Sequence, residues 1–251
     1  VLAARPGIGK TALALNWALA ACATGPVLVF SLEMPDEEIM TRLVANTASV
    51  PMSVLTTGTA RDYQRGLVHR AVADLRKKQL LINDRAAINV SQIVSQVDRA
   101  IQQAGELPAL VVVDYLQLIS QPDAKRREDQ ALGDITRALK ICAKDKNVPV
   151  LLLSQLNREV EGRSSTAPRL ADLRGSGCIE QDADCVLFLH RQNKPDTGEV
   201  DNTAELLIAK HRAGPLGQIP MAFNGQYQRY EVVTRETSYT SQQAPRQGRQ
   251  L

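Results

Sequence analysis

Apolar and polar positions divide the chain into two unlike halves. In the first half, short unbroken apolar runs alternate with stretches whose apolar residues recur at helical spacing. Leu80–Asp84 reads as a strand ending in an acid, and the unbroken runs are Pro26–Ser31 (PVLVFS), Leu110–Asp114 (LVVVD) and Val148–Ser154 (VPVLLLS). Unbroken apolarity over so few residues predicts strands buried on both faces. Between them the spacing predicts helices over Ala12–Ala23, Asp62–Leu75, Ser91–Gln103 and Glu128–Lys146. Leu13, Trp17 and Ala20 share a face of the first. Ile93, Val94, Val97 and Ile101 form the stripe of the third, and Leu132, Ile135, Leu139 and Cys142 that of the last. A further helix starts after Met34: Pro35 suits its first position, and Asp36, Glu37 and Glu38 suit its first turn. This alternation predicts an α/β fold, a mostly parallel sheet flanked by helices on both faces.

The second half changes character. Leu156–Arg174 is polar and reads as loop. Cys185–His190, Ala204–Lys210, Ile219–Phe223 and Tyr227–Val233 read as strands with short connections, antiparallel at the end of the chain. Asn224-Gly225 marks a hairpin turn between the last two. Residues 1–236 form one domain, and Thr237–Leu251, polar and without periodicity, is predicted to be a disordered tail. There is no internal repeat.

Composition narrows the class. The chain has 251 residues, 44% hydrophobic and 23% charged, the make-up of a soluble globular protein. No apolar run approaches the roughly 20 residues of a membrane span, and no basic segment of signal-peptide type opens the sequence. Cys22, Cys142, Cys178 and Cys185 match no zinc spacing and read as reduced structural thiols. A cytoplasmic location is expected. The net charge of +3 excludes a polycation, so any nucleic-acid surface must be local. Basic clusters at Arg76-Lys77-Lys78 and Lys125-Arg126-Arg127, and Arg246 and Arg249 in the tail, are candidates, but such clusters serve equally as solvated faces.

The chemistry begins at Ala4–Thr11 (ARPGIGKT). A phosphate-binding loop requires Gly-x4-Gly-Lys-Ser/Thr. Gly9, Lys10 and Thr11 match, whereas Ala4 stands at the first glycine position. In such a loop, the backbone of Arg5, Pro6, Gly7, Ile8, Gly9, Lys10, Thr11 and Ala12 wraps the phosphates at the positive end of a helix. Lys10 neutralises the β and γ oxygens, and the Thr11 hydroxyl ligates magnesium. Asp114 ends a buried strand and is expected to face the loop and hold the same ion. Glu33, just beyond the strand at Val27–Ser31, is a candidate for activating water, though acids favour helix starts anyway. Gln155 ends another strand and is either a γ-phosphate sensor or simply a polar strand end. A loop of this kind follows a buried strand, and only Val1-Leu2-Ala3 stand before it, so the sequence reads as cut from something longer.

Together these segments resemble the RecA-like motor domain of DnaB-type replicative helicases. The resemblance lies in ARPGIGKTALALN, SLEMP, VVVDYLQL, SQLNREVEGR, DLRGSGCIEQDAD and KHRAGPLGQ, which occur in the family's order across nearly the whole chain outside the tail. The family tolerates Ala at the first loop position. The resemblance implies a hexameric ring that hydrolyses ATP with Mg2+ and moves 5′ to 3′ on single-stranded DNA, with primase and a helicase loader as partners. It implies that Glu33 is the catalytic carboxylate, Asp114 the magnesium-side acid and Gln155 the sensor. It also implies that Lys210 and Arg212 reach into the neighbouring subunit's site. The DNA-contacting loops would include Arg127, Glu128, Arg174, Gly175 and Gly177. Gly175 stands where many members carry Glu, so a backbone contact remains possible while a side chain is lost. The family's N-terminal helical domain and linker helix are not in this sequence, which implies weak assembly and low ATPase activity for this stretch alone. Two other readings share the loop: a recombinase-like ATPase, and a module that uses ATP only to switch conformation.

Overall fold

A computed structural model of the chain describes residues 1–119, 128–157, 167–173, 175–193 and 200–233. The strands are β1 Leu2–Ala4, β2 Val27–Ser31, β3 Leu80–Asn83, β4 Leu110–Asp114, β5 Val150–Gln155, β6 Cys185–Asn193, β7 Val200–His211, β8 Gly217–Asn224 and β9 Arg229–Val232. They form one sheet in the order β3-β2-β4-β5-β1-β6-β7-β8-β9. The pairs from β3 to β6 are parallel, and those from β6 to β9 are antiparallel. The helices are α1 Lys10–Ala21, α2 Asp36–Ala48, α3 Met52–Thr57, α4 Asp62–Arg76, α5 Val90–Ala104, α6 Glu128–Lys146 and α7 Ser176–Asp182.

The unbroken apolar runs are explained by two cores, one on each face. Alternate residues of one strand serve opposite sides, as Phe30 and Val29 show on β2 and Phe188 and Leu189 on β6. One core joins Phe30 and Phe188 to Ile93, Val97, Leu132 and Ile135 of α5 and α6. The other joins Val29 and Leu189 to Leu13, Leu43 and Leu75 of α1, α2 and α4. α5 starts with a reciprocal cap: Gln92 N–H donates to Asn89 Oδ1 at 2.9 Å, and Asn89 N–H donates to Gln92 Oε1 at 3.0 Å.

Several expectations change. α1 begins at Lys10 rather than Ala12, because Gly9 takes a left-handed φ of +104° and caps it. Pro35 occupies the position before α2 rather than its first residue. α3 and α7 are additional helices, and a short 3-10 turn at Leu170–Asp172 lies within the stretch read as loop. The final hairpin turns where Asn224-Gly225 predicts. Asn224 pairs with Arg229 across a four-residue loop, and Gln228 carries the left-handed φ of +53°. Tertiary contacts favour this shape: Gln228 O accepts from Asn16 Nδ2 at 3.1 Å, and Gln228 Oε1 accepts from Arg42 Nη1 at 3.0 Å. The predicted tail at 237–251 lies outside the described residues.

Candidate functional site

Four parallel strands deliver the predicted residues to one edge of the sheet. β1 runs into the loop Arg5–Gly9, β2 ends two residues before Glu33, β4 ends on Asp114 and β5 ends on Gln155. Ser31 lies opposite Asp114 in the register, and Ala4 lies opposite Gln155. Backbone bonds continue past the strand ends: Leu32 N–H donates to Asp114 O at 2.7 Å, and Leu156 N–H donates to Ala4 O at 3.1 Å. Residues remote in sequence therefore meet because each closes a parallel strand.

Gly7 and Gly9 take φ of +74° and +104°, which bends the loop back on itself before α1. Ile8 N–H donates to Arg5 O at 3.4 Å, and Leu13 N–H makes the first helical bond to Gly9 O at 3.0 Å. Ile8 and Ala12 bury their side chains, so only their backbone can face a ligand, while Pro6 and Gly7 are exposed. The amides of the first helical turn lack intrahelical acceptors, and the helix dipole adds positive potential. The result is an anion cradle.

Lys10, Thr11 and Asp114 converge beneath it. Thr11 Oγ1 donates to Asp114 Oδ2 at 2.5 Å. Lys10 Nζ lies 3.7 Å from Asp114 Oδ1 and 4.5 Å from the centre of the Tyr115 ring. Burial holds the Lys10 pKa below its usual range, while the nearby Asp114 and Glu33 carboxylates pull it back up. Further negative charge in the cradle would therefore be favourable. Glu33 is exposed beyond β2, in a turn closed by Ser31 Oγ donating to Met34 O at 2.7 Å. Gln155 is half-buried, and its neighbour Ser154 accepts from Gln117 Nε2 at 3.2 Å through Oγ.

The donors suit a small hard cation. Asp114 is 2% exposed, and its Oδ1 is buried with no hydrogen bond, which leaves a carboxylate oxygen for an ion or its water. Among the described residues, no group of three or more His, Cys, Asp or Glu could hold a metal by itself.

Lys210 and Arg212 lie elsewhere. β6 runs parallel to β1, and Lys210 pairs with Val186 near the start of β6. This is the amino edge of the parallel strands, opposite the loop. There Lys210 Nζ donates to Glu180 O, and Arg212 Nη2 donates to Gln181 O at 2.8 Å. Arg212 Nη1 is 3.4 Å from Asp184 Oδ1, and the Arg212 backbone N–H donates to Asp184 O at 2.9 Å. The hydrogen bond from Lys140 keeps the Asp184 carboxyl below its usual pKa, and Arg212 and Lys210 act in the same direction. Neither basic residue is brought to the loop of its own chain.

Of the expected DNA-contacting residues, the described ones fall at two helix starts. Glu128 opens α6, and Gly175 precedes α7 with φ of +75°. A β-carbon on Gly175 would meet Leu132 Cδ1 of α6 at 3.0 Å, so the two starts lie side by side. Glycine at 175 thus has a backbone reason, and a Glu there would be strained. Gly177, in the first turn of α7, is exposed with open space around it. Arg127 and Arg174 lie outside the described residues.

Two residues without any sequence signal also reach the loop. Arg191 Nη1 donates to Ile8 O at 3.1 Å, and the Tyr230 hydroxyl donates to the same carbonyl. A lone arginine and a lone tyrosine in strands carry no spacing that would single them out.

With this geometry, comparison with known proteins is decisive. The DnaB-like helicase C terminal domain family matches residues 1–232. The chain belongs to this family. It is 38% identical over 244 residues to the replicative DNA helicase DnaB of Haemophilus influenzae, covering 95% of this chain and 52% of that protein. It is 37% identical over 235 residues to the DnaB of Buchnera aphidicola subsp. Acyrthosiphon pisum, covering 92% and 51%. The chain thus spans about half the length of these curated relatives. Among solved structures, one described as an ATPase domain superposes with a TM-score of 0.87 at 34% identity, covering 93% of this chain and 84% of that one. A DnaB-like replicative helicase, described with its interactions with primase, superposes at 0.86 and 34% identity, covering 91% and 56%. The sheet formed by the nine described strands is therefore that of the family's ATPase domain, and family membership brings nucleotide use. Among the described residues, no helix is long and apolar enough to cross a membrane.

Proposed function

We propose that this chain is the ATP-hydrolysing motor domain of a replicative DNA helicase, one subunit of a hexameric ring that moves 5′ to 3′ on single-stranded DNA and unwinds duplex. The observation that carries the reading is the convergence of Lys10, Thr11 and Asp114 under the loop, while Lys210 and Arg212 sit at the opposite edge.

In this reading the Arg5–Ala12 backbone binds the triphosphate, and Lys10 offsets charge on its β and γ oxygens. Thr11 and Asp114 would hold Mg2+, which supplies further charge neutralisation at the same phosphates when bound. Glu33 orients and deprotonates the attacking water. Gln155 senses the γ-phosphate from the end of β5. Lys210 and Arg212 act in trans on the neighbour's nucleotide, so a complete site exists only between subunits. Arg127, Glu128, Arg174, Gly175 and Gly177 contact the DNA backbone without reading bases. Primase and a helicase loader are the expected partners of the whole protein, and a primase interaction is described for one similar helicase.

The test is the ATPase rate of the full-length protein with and without single-stranded DNA, from about 50 to 200 mM salt. DNA should raise the rate, and rising salt should weaken the effect. Absence of stimulation at every salt would rule out translocation on DNA.

A further inference from the structure

The β8–β9 hairpin is fastened to the loop and α1 by residues more than two hundred positions away. The Tyr230 hydroxyl donates to Ile8 O, and Tyr230 N–H donates to Asn16 Oδ1 at 2.7 Å. Tyr230 is 7% exposed, and its ring stacks on Phe223 with centroids 4.5 Å apart. It lies so close to the loop that a β-carbon on Gly9 would meet the hydroxyl oxygen at 2.8 Å. Arg191 Nη1, from β6, donates to the same Ile8 carbonyl at 3.1 Å, and its guanidinium lies 4.5 Å from the centre of the Phe223 ring. Two donors on different strands thus converge on one carbonyl of the loop.

Peptide planarity gives that convergence a consequence. In a trans peptide, the carbonyl of one residue and the N–H of the next point in opposite directions. With Ile8 O drawn toward Tyr230 and Arg191, the Gly9 N–H is turned to the other side of the loop. The opposite orientation would present a carbonyl oxygen, and its negative partial charge, to any phosphate. Glycine at 9 permits the required φ of +104° and leaves room for the tyrosine. Burial raises the Tyr230 phenol to about 12, so the hydroxyl remains a donor at any ordinary pH.

We infer that Tyr230 is a positioning residue of the nucleotide site: with Arg191, its hydroxyl fixes the Ile8–Gly9 peptide so that the loop offers amide hydrogens to the phosphates of a nucleoside di- or triphosphate. The inference rests on reading the loop as a nucleotide site.

Tyr230→Phe keeps the stacked ring and removes only the donor. In the full-length protein, the Kd for MgADP by calorimetry should rise about five-fold, the effect of one buried hydrogen bond. The KM for ATP should rise by a similar factor. kcat should hold within about two-fold, because loop amides bind phosphate alike in the ground and transition states. The nucleotide-free melting temperature should fall by no more than a few degrees, as for one lost buried hydrogen bond, whereas its rise on adding MgADP should shrink. An unchanged Kd overturns the inference, whether or not the nucleotide-free protein melts earlier, because the hydroxyl would then serve the fold alone. A lower kcat at unchanged KM overturns it as well. Lys10→Ala, measured in parallel, separates the two levels. If that variant binds MgADP as well as the unaltered protein, the nucleotide-site reading itself fails and takes the Tyr230 role with it.

Discussion

The two edges of the parallel sheet are built on different terms. At the carboxyl edge, Asp114 is 2% exposed, Thr11 is bonded to it, and the loop is tied by backbone bonds and buried donors from β6 and β9. At the amino edge, the side chains of Arg212 and Asp184 are more than half exposed, and Lys210 and Arg212 rest on the carbonyls of Glu180 and Gln181. Exposed contacts of this kind contribute little and exchange readily with water. The difference separates a cradle fixed in its own chain from basic groups that can leave their resting contacts for another acceptor. On the proposed reading, one chain would hold a nucleotide without holding a finished catalytic site.

Substitutions at the amino edge should have the largest effects. Arg212→Ala or Lys210→Ala in the full-length protein should lower ATP turnover by roughly 10³- to 10⁵-fold, the range for arginine fingers, while nucleotide affinity stays near that of the unaltered protein. Lys10→Ala should lose both. Equal losses of affinity at the two edges, measured by calorimetry, would erase the distinction. Next in size, Glu33→Gln should reduce turnover by about 10²- to 10⁴-fold, as for loss of a general base, with nucleotide and DNA affinity retained. Unchanged turnover would remove Glu33 from the chemistry.

Stability effects sharpen the picture further. Gly175→Ala forces a β-carbon into the left-handed region and against Leu132, and it should cost about 1–2 kcal/mol in urea unfolding. Gly177→Ala, in a helix with open space around it, should be neutral or slightly stabilising. The smallest effect concerns His190, buried on β6 opposite Glu205. Burial lowers its pKa below 6.5, Glu205 opposes that shift and Arg5 reinforces it. The unfolded chain therefore takes up a proton before the folded one does. His190 should reduce stability as pH falls below about 6.5, down to its lower folded pKa. Urea unfolding at pH 7.5 and 5.5 should reveal a smaller pH difference in His190→Gln than in the unaltered protein.

The sequence conveyed the cradle better than its supports, for physical reasons. Lys10, Thr11 and Asp114 were legible because each stands at a fixed place relative to a strand end or helix start, and the parallel register brings such places together. β2, β4 and β5 were legible because burial on both faces leaves an unbroken apolar run, whereas β3, at the sheet edge, leaves Leu81 exposed. α7 was not: its seven residues are too few for a period to emerge, and glycine and serine at its start read as loop. The last turn was legible in Asn224-Gly225, and its four-residue length was not, because the contacts of Gln228 with Asn16 and Arg42 set it. Arg191 and Tyr230 could not be found at all, since only the folded sheet sets them beside Ile8. The placement of Lys210 and Arg212 at the far edge was likewise invisible without the strand order.

In the proposed ring, the catalytic site is shared between neighbouring chains, with Glu33 from one and Arg212 from the other. Full-length Glu33→Gln and Arg212→Ala proteins, each inactive alone, can be mixed under conditions that allow subunits to exchange, and ATP turnover measured. Wherever an Arg212→Ala subunit receives the arginine of a Glu33→Gln neighbour, a complete site forms, so turnover should rise well above the sum of the two separate rates. A mixed assembly whose turnover equals that sum would contradict the account.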